Sequence, residues 1–465
     1  MADQRFSDLI EQLRHGRVDR RTFMVRATAL GVSASAIGAA LMRGGVVAAQ
    51  DATPGASPAA GGGAGTELTP ENLGVPGAEH STDTSKGTIN IYSSWPMTGA
   101  SEQIGPDSAD SIRLALEIFG GAAGGFALNY EALDDGLASS NGAWDATKEA
   151  ENATMVVNDE DAMVYIATYN SGAAAISIPI LNEADPGPMA MISPANTAVA
   201  LTKEYEFNEE GQPEQYYPTG VRNYMRVVPA DDIQGSASAN WAYTKMGITS
   251  AYVLHDNQLY GKGVATVFER TFEELGGEIL GFEAFNPDAD DYQSLMTSIA
   301  DTGTGMVYLG AIVNLNASKI LLDMRSVMPV DEVLFLGPDG LINQAFLDGA
   351  GDAAEGAYIT FAGLPPAELQ GPGAVWASTM EERLGHSPDA YAVYAFDCAV
   401  LAIQAIDQVG EKDRAAILDA MFNTEGFVGL VGTFSLTETG DTDASTMSLN
   451  LVQDGKITFQ ENIGV

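Results

Sequence analysis

Residues 191–197, MISPANT, decide the reading of the chain, together with 170–175, NSGAAA, which come shortly before them. Each follows a strand-like apolar run and ends in small hydroxyl, amide or glycine residues. Between them, 174–183 has helical character. A strand that hands over to a helix leaves backbone N–H groups without partners at the helix start, and their dipoles favour negative charge there. Two such handovers side by side suit an anionic group such as a carboxylate.

Outward from this stretch the pattern alternates. Residues 88–93 (TINIYS), 126–133, 162–167, 190–192 and 224–228 read as strands by alternation and β-branching. Helical spacing of apolar residues marks 101–119 and 143–157. The polar, Tyr- and Pro-containing 203–222 interrupts the rhythm and reads as a long surface loop. Alternation resumes with helices at 233–246, 263–275, 292–301 and 317–327 and strands at 250–255, 278–285, 306–309, 333–336 and 357–361. Helices at 375–384, 391–409 and 414–422 follow. Strands at 433–436 and 448–453 close the chain, with Asp454-Gly455-Lys456 as a hairpin turn. Strict strand–helix alternation gives right-handed crossovers and parallel sheets covered on both faces. Two runs of it predict an α/β protein with two Rossmann-like lobes.

The composition narrows the function. The chain has 465 residues, 45% hydrophobic, and carries a formal charge of −41. Without residues 1–49 it holds 15 basic against 59 acidic residues, a net charge of −44. Such a surface repels nucleic acid and anionic lipid, so neither is expected as a partner. The single cysteine, Cys398, lies in an apolar run, so no intramolecular disulfide and no cysteine-based metal site are expected. At the start, Arg20-Arg21 in DRRTFM, the mild apolar stretch 27–42 and the small residues Val47-Ala48-Ala49 have the order of a twin-arginine export signal. No cysteine stands near the cleavage site, which speaks against a lipid anchor. The Gly-, Ala- and Pro-rich 50–87 reads as a flexible linker.

Recognisable catalytic sets are missing. His15, His80, His255 and His386 are scattered, and there is no Gly-x-Ser-x-Gly elbow and no Walker loop. The glycine-rich 120–125 precedes a strand instead of following one and reads as a turn. The acidic clusters 288–291 and 441–443 lack the later Gly and Glu of a calcium loop and read as solvated turns. No catalytic residue, metal or cofactor is expected, and an enzyme is disfavoured.

The residues MISPANT, His255-Asp256-Asn257-Gln258-Leu259-Tyr260-Gly261, Gly337-Pro338-Asp339-Gly340 and 350–359 (AGDAAEGAYI), in this order, resemble the leucine/isoleucine/valine-binding family of type I periplasmic binding proteins. The resemblance runs from about residue 88 to the C-terminus. It implies two lobes with parallel-sheet cores joined by a three-crossover hinge, the crossovers falling near 228–231, 358–363 and 433–437. Lobe 1 would comprise 88–229 plus 362–433, and lobe 2 would comprise 230–361 plus 434–465. It further implies an exported substrate-binding protein of an ABC importer, a monomer that captures a branched-chain or related amino acid by hinge closure and docks on a membrane permease.

The family's ligand residues can be placed on this chain. Asn170, Ser171 and Gly172 fall where a carboxylate is bound, and Ser171 supplies the hydroxyl. Ala195, Asn196 and Thr197 fall where a carbonyl meets the ammonium and an N–H or hydroxyl meets the carboxylate. Tyr260 reaches over from the second lobe, Asp339 pairs with the α-ammonium, and Trp95 forms an apolar wall. Ile312 stands where the family often has an aromatic residue, and 203–222 is longer than the family's usual connection. A different side chain from leucine is therefore compatible, and amides, urea and aromatic acids, which the family also binds, stay open. A sensory ectodomain and a secreted enzyme on the same fold are the rival readings.

Overall fold

The computed structural model describes residues 67–73 and 80–464. The expected export signal over 1–49 and most of the expected linker over 50–87 lie outside the described residues. Two sheets organise the rest. The first has six strands, in the spatial order Ala122–Ala123, Phe126–Asp134, Thr88–Trp95, Ala162–Ala167, Ala190–Ser193, Tyr224–Arg226. All its pairings are parallel except the short first strand, which folds back on Phe126 through the glycine-rich turn. The central strand Ala162–Ala167, AMVYIA, is buried at every position. That is what a parallel strand covered on both faces requires, and it explains the unbroken apolar run.

The second sheet has seven strands, in the order Glu278–Ala284, Ser250–His255, Met306–Gly310, Leu334–Gly337, Tyr358–Phe361, Met447–Gln453, Lys456–Ile463. Its first five strands pair parallel and its last two antiparallel. The last two form the hairpin expected at Asp454-Gly455-Lys456. Strand Lys456–Ile463 was not expected: it alternates half-buried with exposed residues and its polar content hides it.

The chain passes between the sheets three times. It leaves the first sheet after Tyr224–Arg226 for helix Asp231–Asn240, and leaves the second after Tyr358–Phe361. Helix Ala392–Val409, the long apolar helix of the C-terminal half, packs on helix Ile104–Ile118 over the first sheet. The third passage falls later than 433–437. Gly440 O still accepts from Arg226 N (2.9 Å) at the edge of the first sheet, so the chain crosses only at 444–446.

Helix starts differ from expectation where glycines or acids hide them. Helix Leu259–Glu274 begins a turn before 263, because Gly261 is a packing requirement: a Cβ there would lie 2.2 Å from Asp256 Oδ1 and 2.5 Å from Gly310 O. Helix Asp231–Asn240 begins at its two aspartates, a residue type favoured in the first turn. Helix Gln344–Ala350 was not expected; Asn343 caps it by accepting from Phe346 N at 3.0 Å.

Candidate functional site

The first-lobe wall of the cleft is made by two loops at the C-terminal edge of the first sheet. Strand Ala162–Ala167 leads to helix Ser171–Asn182, and strand Ala190–Ser193 leads to Pro194–Thr197. Ser193 ties the two together: its Oγ donates to Thr168 O (2.9 Å) and accepts from Ala195 N (3.1 Å) and Asn196 N (2.9 Å). Ser171 Oγ accepts from Ala198 N at 3.3 Å, which fixes the hydroxyl at the helix start. The Asn196 side chain turns inward. Its Nδ2 donates to Thr168 O and Tyr169 O (both 2.9 Å), and its Oδ1 accepts from Tyr224 OH (3.1 Å).

Behind this wall stands Arg226, fully buried on the edge strand. Its guanidinium donates to Asn196 O (3.1 Å), Ala198 O (2.9 Å), Thr202 Oγ1 (2.5 Å) and Asp441 Oδ1 (2.6 Å). Burial pushes the Asp441 carboxyl up, but the Arg226 guanidinium, Lys203 and the hydroxyls of Thr439 and Thr202 together outweigh it and hold the carboxyl below the usual range. Asp441 is therefore a buried ion-pair partner, where a solvated turn was expected.

The second-lobe wall is a carboxylate. Asp339 follows strand Leu334–Gly337 and is 1% exposed. Gln234 Nε2 donates to its Oδ1 at 2.8 Å, and the hydroxyls of Tyr260 and Tyr391 donate to Oδ1 and Oδ2. Tyr260 OH also accepts from Gly340 N (2.8 Å), and Gln234 Oε1 accepts from Asp339 N (3.0 Å) and Thr360 Oγ1 (2.9 Å). Burial pushes the Asp339 carboxyl above its ordinary value against the pull of these donors. Asp231, also buried, is pushed well above its ordinary value by burial and then by the Asp339 charge. Gln234 Nε2 reaches it at 3.2 Å, and its Oδ2 has no hydrogen-bond partner among the described residues. All the donors to Asp339 named here are neutral, so a cation entering the cleft would meet uncompensated negative charge.

These walls enclose a small cavity lined by Tyr169, Asn170, Ser171, Ala195, Tyr260, Ile312, Asp339, Gly340 and Tyr391. Its volume is about 20 Å³, room for about one water. Of the sequence-derived candidates the structure brings Asn170, Ser171, Ala195, Tyr260, Ile312 and Asp339 together. It places four elsewhere. Trp95 is buried in the first-lobe core and does not line this cavity. Asn196 is the strut described above. Thr197 accepts at its carbonyl from Asp231 N (2.8 Å), and its Oγ1 is buried without a partner among the described residues. Gly172 supports the ring of Trp144, which an added Cβ would approach to 2.4 Å.

Sequence reasoning missed Tyr169, Gly340, Tyr391 and the supports Arg226 and Gln234. Tyr391 packs edge-on against Tyr169 (centroids 5.6 Å) and Phe361 (5.2 Å), which closes the aromatic end of the cavity. The available signals were a lone arginine inside the apolar strand YMRVV and an aromatic residue just ahead of the long apolar helix. Beside Ile312, Asn314 Nδ2 donates to Ser101 Oγ and Asn141 O (both 2.9 Å), bridging the lobes at the place where the family it resembles often has an aromatic pair.

Comparison with known proteins agrees with this architecture. A family model described as periplasmic binding protein matches residues 88–456. The leucine-, isoleucine-, valine-, threonine- and alanine-binding protein of Pseudomonas aeruginosa is 25% identical over 357 residues, 76% of this chain and 87% of that protein. A Leu/Ile/Val-binding protein homologue of Brucella suis is 25% identical over 317 residues, 66% of this chain and 83% of that protein. Among solved structures, a leucine-binding protein of Thermotoga maritima superposes with a TM-score of 0.69 at 23% identity, covering 81% of this chain and 99% of its own. A solute-binding protein from R. palustris in complex with benzoate gives 0.67 at 20% identity, covering 82% and 98%.

Proposed function

The chain belongs to the periplasmic binding protein family, and from that premise we propose that it is the extracytoplasmic substrate-binding protein of an ABC importer that captures an amino acid with an apolar side chain. The observation that carries this reading is the opposition across the cleft. A helix start with the Ser171 hydroxyl faces a buried carboxylate, Asp339, that has only neutral donors. A carboxylate beside an ammonium, the invariant end of an amino acid, matches that opposition. Tyr169, Ile312 and Tyr391 supply the apolar surroundings for a side chain.

Ligand enters by separation of the lobes. The cavity of about 20 Å³ admits no amino acid, and Asn314 and Tyr391 join the two walls. Opening breaks those contacts; Ser171 and Ala195 then hold the ligand first, and Tyr260 and Asp339 complete the site on closure. The lobes are 88–229 plus 362–443 and 230–361 plus 447–464, the third boundary being set by the crossing at 444–446. The protein works as a monomer, reaches its compartment by the twin-arginine route and docks on a membrane permease in its closed form. It catalyses no reaction of its own.

Calorimetric titration and thermal-shift measurements of residues 50–465 against the amino acids test the reading. A ligand at a hundredfold excess over Kd stabilises the native state by about 2.7 kcal/mol. Leucine, isoleucine or valine should bind, and the Asp339→Ala variant should lose them. A second reading, an aromatic acid with no ammonium, draws on the Tyr391 hydroxyl already seated on Asp339. Benzoate binding that survives Asp339→Ala would favour it and remove the ammonium role.

A further inference from the structure

A second and much larger cavity, of about 430 Å³, lies between the long 203–222 segment and helix Leu259–Glu274. This volume falls within the range of about 300–1,000 Å³ usual for small-molecule sites, whereas the central cavity does not. One side comes from the first lobe and includes Val199, Tyr205, Phe207 and Glu209. The other comes from the second lobe: Lys262, Gly263 and their neighbours on the helix. The 203–222 segment is held to the second lobe by Lys203 Nζ on Asp232 Oδ2 (2.7 Å) and by the Arg270 guanidinium over the Phe207 ring (5.3 Å).

The chemistry of the groove is that of a zwitterion site. Its lining mixes apolar residues, Val199, Tyr205, Phe207, Leu259 and Val267, with one cation and one anion, Lys262 Nζ and Glu209 Oε1, 3.5 Å apart. Both are exposed, so their mutual attraction is weak and gives way at little cost. A carboxylate can take Lys262 and an ammonium can take Glu209, while the apolar side chain lies against Val199, Leu259 and Val267. Resting on the amino-acid reading of the central site, we propose that this groove is a second binding site, for a zwitterionic amino acid with an apolar side chain. The two sites share their walls. Ala198 lines the groove and donates to Ser171 Oγ, and Leu259 precedes Tyr260. Because the groove takes its sides from both lobes, a molecule bound there favours the closed arrangement, and occupation of either site strengthens the other.

Gly263 gives a test that leaves the central site alone, because an added Cβ would meet no atom within 4 Å. A phenylalanine at this position fills the groove from the helix side. L-Leucine is the probe, titrated by calorimetry into the wild-type chain, Gly263→Phe, Lys262→Ala and Asp339→Ala, with the melting temperature of each variant recorded. The wild type should take up two leucines per chain and Gly263→Phe one. Lys262→Ala should weaken the groove event about tenfold, and Asp339→Ala should keep it while losing the other. A single event that disappears with Gly263→Phe and survives Asp339→Ala would support the groove even if the central reading failed. One leucine in the wild type, unaffected by Gly263→Phe and Lys262→Ala, would overturn the groove site and leave the central reading standing. No leucine uptake at all would overturn it as well.

Discussion

On the first-lobe wall of the cleft the cavity-facing groups are backbone and small hydroxyls, fixed from behind by Arg226, Asn196 and Ser193. On the second-lobe wall the charged group at the cavity is one carboxylate, Asp339, fixed by neutral donors from three separate segments. The first wall keeps its charge out of the cleft, in the Arg226–Asp441 pair, and uses it to hold a loop. The second presents its charge to the cleft and leaves it without a cation. Damage to the first wall should therefore appear as lost stability, and damage to the second as lost affinity.

The largest effect expected is that of Arg226→Met. It leaves the Asp441 carboxylate buried without its cation and removes the donors to Asn196 O and Ala198 O. Breaking one side of a buried ion pair costs about 3–5 kcal/mol. Urea unfolding should show a loss of that size, and a loss below 1 kcal/mol would mean that the loop keeps its shape without the pair. Asp339→Ala comes next and has the opposite profile. Affinity for a ligand with a free ammonium should fall by about 2–5 kcal/mol, as when one member of a buried charge pair is truncated. Stability of the ligand-free protein should stay level or rise, because a buried carboxylate pushed upward by burial costs free energy when ionised. A protein destabilised as much by Asp339→Ala as by Arg226→Met would erase the contrast between the walls.

A buried carboxyl away from the cleft sharpens the comparison through pH. Glu149, inside the first lobe, accepts from Ser94 Oγ (2.5 Å), Tyr165 OH (2.9 Å) and Ser177 Oγ, yet burial still pushes it up to about 7 from an ordinary 4.5. Asp135 beside it is also pushed well above its ordinary value, by burial and by the Glu149 charge, and its oxygens have no hydrogen-bond partner among the described residues. Lys148 is the nearby cation, but its Nζ is engaged with Gly136 O (2.5 Å) and Asp134 Oδ2 (3.3 Å). Between pH 4.5 and about 7 the folded state then holds more protons than the unfolded one, so stability falls as pH rises through that window. Glu149→Gln should flatten the fall by an amount on the order of 2 kcal/mol, read from unfolding curves at pH 5 and 7.5. An unchanged slope would place the titration elsewhere.

What the sequence could show follows from how far apart the interacting residues lie. The sheets were legible because parallel strands buried on both faces must be continuous apolar runs, as in AMVYIA, and because helices of matching length separate them. MISPANT and NSGAAA were legible because a strand-to-helix handover is a local event. Arg226 and Asp441 meet across 215 residues, and Tyr391 and Asp339 across 52, and no local pattern encodes such a meeting. Asn196 shows the converse limit. A residue of the right type in the right loop can turn its side chain away from the ligand when three nearby groups need its amide. Trp95 shows it again, since a large aromatic at the end of a strand is as well suited to the core beneath the loop as to the cleft above it.

Tyr391 is where the two walls touch, and it gives the smallest effect and the finest test. Its ring belongs to the first lobe, stacked edge-on with Tyr169, while its hydroxyl donates to Asp339 of the second. This bond joins the two walls of the closed cleft. A ligand ammonium needs an oxygen of the same carboxylate, and Oδ1 already accepts from Gln234 and Tyr260. Binding then replaces the Tyr391 bond on Oδ2, and the ligand has to overcome it. Tyr391→Phe keeps the ring packing and removes the competitor, so affinity should rise by about 1 kcal/mol, the usual net worth of one hydrogen bond, or several-fold in Kd. The same change should speed lobe opening in the ligand-free protein, measurable as faster ligand association by stopped-flow fluorescence. A fall in affinity instead would mean that the hydroxyl stays on the carboxylate alongside the ligand, and that Asp339 meets the ammonium through a wall built jointly by both lobes.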